Sequence, residues 1–175
     1  SHLKVYKNLA LFLLAFFFYI EGVNTVIFFS AIFAKKTLGF TDLNLIIFFM
    51  IVQSTAIIGS ILFGVISDSI GQKRSITITL VIWIFTMAVA YFSSSGDTFL
   101  AGWVTSIFAV SAENFKFYSF YLVGLLAGGV MGATQSTSRG LMSNLTPPDK
   151  KTEFFGFYSF FGKSSAVLGP LVFGG

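Results

Sequence analysis

Two ionisable side chains stand deep inside long apolar runs, where a charge is expensive. Glu21 lies about 13 residues into the run 8–34, near the middle of a bilayer at ~1.5 Å of rise per residue. Asn24 and Thr25 follow at i+3 and i+4, so a helix puts all three on one face. Such a stripe serves either as a solute or proton site or as an interhelical hydrogen-bond node. Lys163 lies about ten residues into the run 153–175, also near mid-depth. Its ammonium either snorkels, which is hard from there, or faces a cavity and pairs with Glu21. Gln135 and Arg139, four residues apart, mark one end of a further run. Arg139 either reaches lipid phosphates or closes a cavity floor, where it can hold an anionic group bidentately.

Other chemistries are excluded by residue type. There is no cysteine and the single histidine is His2, so thiol nucleophiles, cysteine or histidine metal sites and a Ser-His-Asp triad are absent. Gly162-Lys163-Ser164 resembles the end of a phosphate loop, but Phe157 occupies the position of its first glycine. No enzyme activity, cofactor or metal is expected. Asn144-Leu145-Thr146 matches a glycosylation sequon, read as chance because its loop is placed in the cytoplasm. The net charge of +4 does not point to nucleic acid, because Lys and Arg sit in short gaps between apolar runs and not on one face.

The elements that must position these residues follow from composition. The chain has 175 residues, 55% apolar and only 10% charged, with a mean hydropathy of +0.85. A soluble domain carries about 25% charged residues, so the expected solvent is lipid. The expected class is an all-α membrane protein of five transmembrane helices in a single domain 1–175, with spans at about 8–34, 42–66, 74–94, 117–142 and 153–175. Thr41 or Asp42 is the expected N-cap of the second, and Thr152-Glu153 opens the fifth. The stretch 98–112 is apolar but short, so an interfacial or re-entrant segment is expected there. With five spans one side holds Lys4, Lys7, Lys73, Arg74, Lys150 and Lys151, and the other Lys35, Lys36 and Lys116. That bias places the first group in the cytoplasm. The 24 phenylalanines read as lipid-facing and interhelical filler.

Between the second and third spans, Gly64-Val65-Ile66-Ser67-Asp68-Ser69-Ile70-Gly71-Gln72-Lys73-Arg74 reads as a tight cytoplasmic turn. Gly64 is expected to end one helix, Gly71 to make the turn, and the cations to open the next helix. Gly124, Gly128, Gly132, Ser136 and Gly140 recur every four residues, a ridge where a neighbouring helix can approach closely. The turn is similar to the G-x-L-x-D-x-x-G-R-K loop of the major facilitator superfamily, with Ile66 for Leu and Gln72 for the first cation. Tyr19-Ile20-Glu21-Gly22-Val23-Asn24-Thr25, the stretch Gly129 to Arg139, Glu153 to Tyr158, Gly162-Lys163 and Gly169-Pro170 together resemble its vacuole-effluxer-like branch.

The resemblance implies half of a major-facilitator bundle, about spans seven to eleven, with the N-terminal half and the last span missing from this chain. The opening Ser1-His2 fits a cut piece. The loop at 96–116 is longer than the family leads one to expect. Implied partners are the lipid bilayer, a small-molecule solute and that N-terminal half, and the implied function is alternating-access transport of a small solute, amino acids included. Implied roles are a substrate or proton cavity at Glu21, Asn24, Thr25, Gln135, Arg139 and Lys163, and a conformational gate at Gly64, Asp68, Gly71, Lys73 and Arg74. Gly124, Gly128 and Gly132 would pack helices. The implied location is the plasma membrane of a prokaryote, or the vacuolar membrane if eukaryotic. Rival classes are a non-transporting membrane receptor or interaction protein and a pigment with Lys163 as Schiff base and Glu21 as counter-ion.

Overall fold

Backbone groups in an apolar medium must satisfy one another, and a helix does this within a single segment. The apolar runs accordingly form five long helices in a computed structural model whose described residues are 2–94 and 111–173. These are α1 (His2–Lys36), α2 (Asp42–Ile70), α3 (Gln72–Ser94), α4 (Ala112–Leu145) and α5 (Lys151–Phe173), with a 3-10 turn at Pro148–Lys150 before the last. No strand occurs among the described residues. Helices α1 to α4 each contain a stretch long and apolar enough to cross a membrane. The outer face of α2 suits lipid and not water: Ile57, Ile61 and Val65 are 63%, 63% and 70% exposed. The protein is an all-α integral membrane protein. Most of the segment 98–112 lies outside the described residues.

The helices outrun the apolar stretches that signalled them. α4 begins at Ala112 and not near Phe117, because Ser111 caps it, its hydroxyl accepting from the Asn114 N–H at 3.3 Å. α2 runs on to Ile70, so Gly64 does not end it. Gly64 is instead an interior helical position beside the Ser136 hydroxyl of α4.

The chain divides into two compact units, one made of Ser1–Ser30 with Ser138–Gly175 and the other of Ala31–Thr137. In the second unit Thr41 is the N-cap of α2 and accepts from the Asn44 N–H at 3.3 Å. Lys35 and Asp42 form an exposed ion pair at 2.7 Å across the α1–α2 connection. Below it lies an aromatic core. Phe40 stacks on Phe117 at 4.9 Å, Phe48 stacks on Phe120 at 5.0 Å, and Ala34 and Val52 complete the cluster.

The glycine ridge of α4 packs against α2. Gly124 lies against the Phe48 ring, Gly128 against Val52 and Thr55, and Gly132 against the backbone of Ala56. A Cβ on Gly132 would overlap the Ala56 carbonyl. Two helices in lipid gain little from apolar burial, so backbone contact of this kind supplies much of their attraction.

α2 and α3 are separated by one residue. Gly71 sits at φ +88°, ψ 142°, a backbone conformation open essentially to glycine alone. Its N–H donates to the Ser67 carbonyl at 2.9 Å and its carbonyl accepts from the Ser75 N–H at 3.1 Å, so the turn hydrogen-bonds into both helices. Farther along, the Trp83 indole N–H of α3 donates to the Thr134 hydroxyl of α4 at 3.2 Å, both residues being buried. Trp83→Phe should cost about 1–3 kcal/mol through the lost bond and the void left by the larger ring, read as a drop in the melting temperature of the purified full-length protein.

Candidate functional site

The first unit brings α1, the last turns of α4 and α5 together around a line of polar side chains. Three contacts fix α1. The Tyr19 hydroxyl and the Ser138 hydroxyl of α4 lie 2.7 Å apart. The Asn24 amide donates to the Ser165 hydroxyl of α5 at 3.3 Å, and that hydroxyl donates to the Gly162 carbonyl at 2.9 Å. Phe16 stacks on Tyr158 of α5 at 4.2 Å, meets Tyr19 edge to face at 5.5 Å, and its ring edge lies over Gly162. The Tyr158 hydroxyl in turn lies within reach of the Arg139 guanidinium. The Phe16–Tyr158 stack thus clamps α1 to α5, and the Tyr19–Ser138 contact ties α1 to α4.

Glu21 lies along α1 between Tyr19 and Asn24, the two residues that reach α4 and α5. One carboxyl oxygen, Oε1, accepts from the Thr25 hydroxyl at 3.4 Å, a long bond within one helical turn. The other, Oε2, is buried and has no hydrogen-bond partner. A buried carboxyl oxygen left unmatched is costly, and such groups in native proteins repeatedly mark functional positions. Glu21, Asn24 and Thr25 are all half-buried on α1.

Glu21 and Lys163 do not form an ion pair; the Lys35–Asp42 pair stands alone among the described residues. Helical geometry gives the reason. Ser165 points at α1, where it meets Asn24. Lys163 is two residues earlier, ~200° around the helix at 3.6 residues per turn, and so points away from α1. It is exposed, without a hydrogen bond or ion pair to any described residue.

Arg139 is exposed on α4 apart from its contact with Tyr158. Gln135 is exposed too, but it belongs with the other unit, as do Gly64, Asp68, Gly71, Lys73 and Arg74. Asp68 stands exposed in the last turn of α2 and accepts no hydrogen bond from the described residues, since α2 continues past it. Lys73 and Arg74 are exposed at the start of α3. No group of histidine, cysteine or acidic side chains suited to a metal occurs among the described residues.

Tyr19, Ser138, Tyr158 and Ser165 carry the geometry without having been singled out as site residues. Isolated hydroxyls in apolar runs usually bond their own helix, as Thr79 and Thr137 do here. The only signal in the sequence was nearness along the chain, Tyr19 standing two residues before Glu21 and Ser138 beside Arg139. Removing the Tyr19 hydroxyl should matter little. Tyr19→Phe is expected to cost about 0.6 kcal/mol, the usual scale of an interhelical hydrogen bond in lipid, measured by thermal or denaturant unfolding.

A family model described as "Vacuole effluxer Atg22 like" matches residues 1–175. The chain is similar to the MFS-type transporter YxiO of Bacillus subtilis, with 31% identity over 172 residues, 98% of this chain and 35% of that protein. It is also similar to autophagy-related protein 22 of Kluyveromyces lactis, with 27% identity over 176 residues, 99% of this chain and 33% of that one. For autophagy-related protein 22 of Saccharomyces cerevisiae strain S288c the identity is 24% over 174 residues, 99% of this chain and 31% of the relative. The chain spans about a third of the length of these curated relatives. No solved structure matches.

Proposed function

Since the chain belongs to the Atg22-like vacuole effluxer family, a major-facilitator family of transporters and not of enzymes, we propose that it forms five spans of a secondary transporter moving a small solute by alternating access. The spans are about 8–34, 42–66, 74–94, 117–142 and 153–175, with the Gly71 turn and the Pro147–Lys151 connection in the cytoplasm. The segment from Gly64 to Arg74, which is the end of α2, the Gly71 turn and the start of α3, acts as the conformational gate through Gly64, Asp68, Gly71, Lys73 and Arg74. The other wall of the cavity comes from the rest of the transporter, its N-terminal half. Amino acids are the solute class we favour. The membrane is the plasma membrane of a prokaryote or, in a eukaryote, that of the vacuole.

The observation that supports this reading is the Glu21 carboxyl at mid-depth, with one oxygen buried and unmatched. A group of this kind is kept in a span at a cost in stability, and the usual return is a solute or proton site. Asn24, Thr25 and the Ser165 and Ser138 hydroxyls hold α1 in the rotation that sets Glu21. The simplest coupling available to this chain is a proton carried on Glu21.

The test uses the full-length transporter in sealed vesicles, loaded with unlabelled amino acids and exposed to the same compounds in radiolabelled form. Saturable counterflow is the expected result. Binding without flux would instead make the protein a membrane receptor.

A further inference from the structure

The outer face of α5 carries the spacing of a helix-to-helix seam. Glu153, Gly156, Phe160, Lys163 and Val167 follow one another at intervals of three, four, three and four residues, which keeps all five on one side of the helix. All five are exposed among the described residues, on the side opposite the contacts of Tyr158 and Ser165 with α1. Gly156 makes a notch in this face. A groove of about 450 Å³ opens there, lined by Glu153, Gly156, Phe157, Phe160 and Phe161. A Cβ on Gly156 would meet nothing within 4 Å, whereas those on Gly124, Gly128 and Gly132 would run into α2.

Lys163 limits what can cover this face. It stands beyond the groove in the 23-residue helix, about 18 Å from the helix start and so near the centre of a hydrocarbon layer of ~30 Å. An ammonium at that depth is not kept against lipid chains. A second copy does not suit either, because a two-fold axis along the membrane normal would set Lys163 against its own counterpart. Phe160 and Val167, about one turn to either side, offer no bond to water. A helix with an acid at the level of Lys163 meets every condition. This chain spans about a third of the length of its curated relatives, which leaves ample polypeptide outside it to supply one.

We propose that this face of α5 packs against a transmembrane helix of the rest of the full-length protein, and that a carboxylate on that helix pairs with Lys163. This rests on the reading of α5 as a span. It goes beyond the transport reading in naming a contact between this chain and the remainder, whatever the solute. A side chain of the partner helix enters the Gly156 notch, so the two backbones approach closely, as α2 and α4 do along the glycines of α4. The ion pair fixes the register, as a lone polar residue does in an apolar seam. Glu153, in the first turn of α5, lies at the end of the span and needs no such partner.

The test uses the full-length protein, in detergent for stability and in sealed vesicles for flux. Each Asp and Glu in its other spans is replaced in turn by Asn or Gln, alone and together with Lys163→Met. Lys163→Met alone should lower the melting temperature by about 5 °C, because it leaves a buried acid without its cation. Neutralising one particular acid should cause a similar loss, and removing both charges should restore most of the stability. A cysteine at that acid and Lys163→Cys should cross-link on oxidation, which requires Cα atoms within about 7 Å. Gly156→Ile would be neutral or better on an open helix face; in a packed seam it fills the notch and should also lower the melting temperature.

A melting temperature unchanged by Lys163→Met, the lack of any acid whose removal rescues that variant, or a Gly156→Ile protein as stable as the parent would each overturn the assignment. A protein whose Lys163 couples to an acid of another span, yet shows no counterflow, would keep this inference and end the transport reading. Counterflow in a protein whose Lys163 couples to no acid would do the reverse.

Discussion

Gly132→Val is expected to separate α2 from α4 and to destabilise the full-length protein by about 3 kcal/mol or more, the upper range for an overpacked contact. The new Cβ would overlap the Ala56 carbonyl, a backbone group that cannot swing aside as a side chain can. The only relief is to move one helix off the other. That also loosens Gly128 from Val52 and Thr55, and the Phe48 ring from Gly124. Gly22→Ala on α1 is the control. A Cβ there meets nothing within 4 Å, so the substitution should be neutral or stabilising by up to about 1 kcal/mol. Thermal unfolding of the two variants in the same detergent measures the difference. Equal melting temperatures would show that α4 does not rest on α2 through its glycines.

Glu21→Gln should leave the fold standing and remove most of the transport. The amide has nearly the same shape, and Oε2 has no partner to lose, so the stability change should stay below about 1 kcal/mol. A group that carries a proton through a cycle is a different matter. Its loss typically costs about a hundred-fold in rate. Counterflow, which needs no net proton movement, should survive better than gradient-driven uptake. Combining Glu21→Gln with Lys163→Gln should give additive effects on stability, within about 0.5 kcal/mol, because Lys163 points away from α1 and the two side chains form no ion pair. A strongly coupled cycle would restore the ion pair and contradict the present geometry.

The comparison of sequence with structure turns on what a one-dimensional pattern can carry. Apolar length marked the helices, and Thr41 and Gly71 marked two of their ends, because a side-chain cap and a positive-φ glycine are local events. Gly64 was misread as a helix end for the same reason: glycine signals an end or a close approach, and only the packing of Ser136 beside it distinguishes the two. The start of α4 was placed five residues late since Phe117 begins the apolar run, while Ser111, a polar residue, fixes the cap. The polar face of α1 was legible in the spacing of Glu21, Asn24 and Thr25. Its partners were not, since Ser165 and Ser138 are single hydroxyls whose importance arises from which way two other helices are turned. The pairing of Glu21 with Lys163 failed on that rotation. Depth can be counted along a sequence, but azimuth about a helix is set by its neighbours.

The single residue between α2 and α3 has a consequence for how the protein is made. Gly71 hydrogen-bonds into both helices and leaves no slack chain between them. With the turn in the cytoplasm, as proposed above, neither helix should enter the bilayer and settle before the other is made. The pair should go in as one hairpin, its tip carrying Asp68, Lys73 and Arg74 staying on the side from which it came. Orientation of this region would then be decided in one step during synthesis, by the charges at a turn with no slack chain.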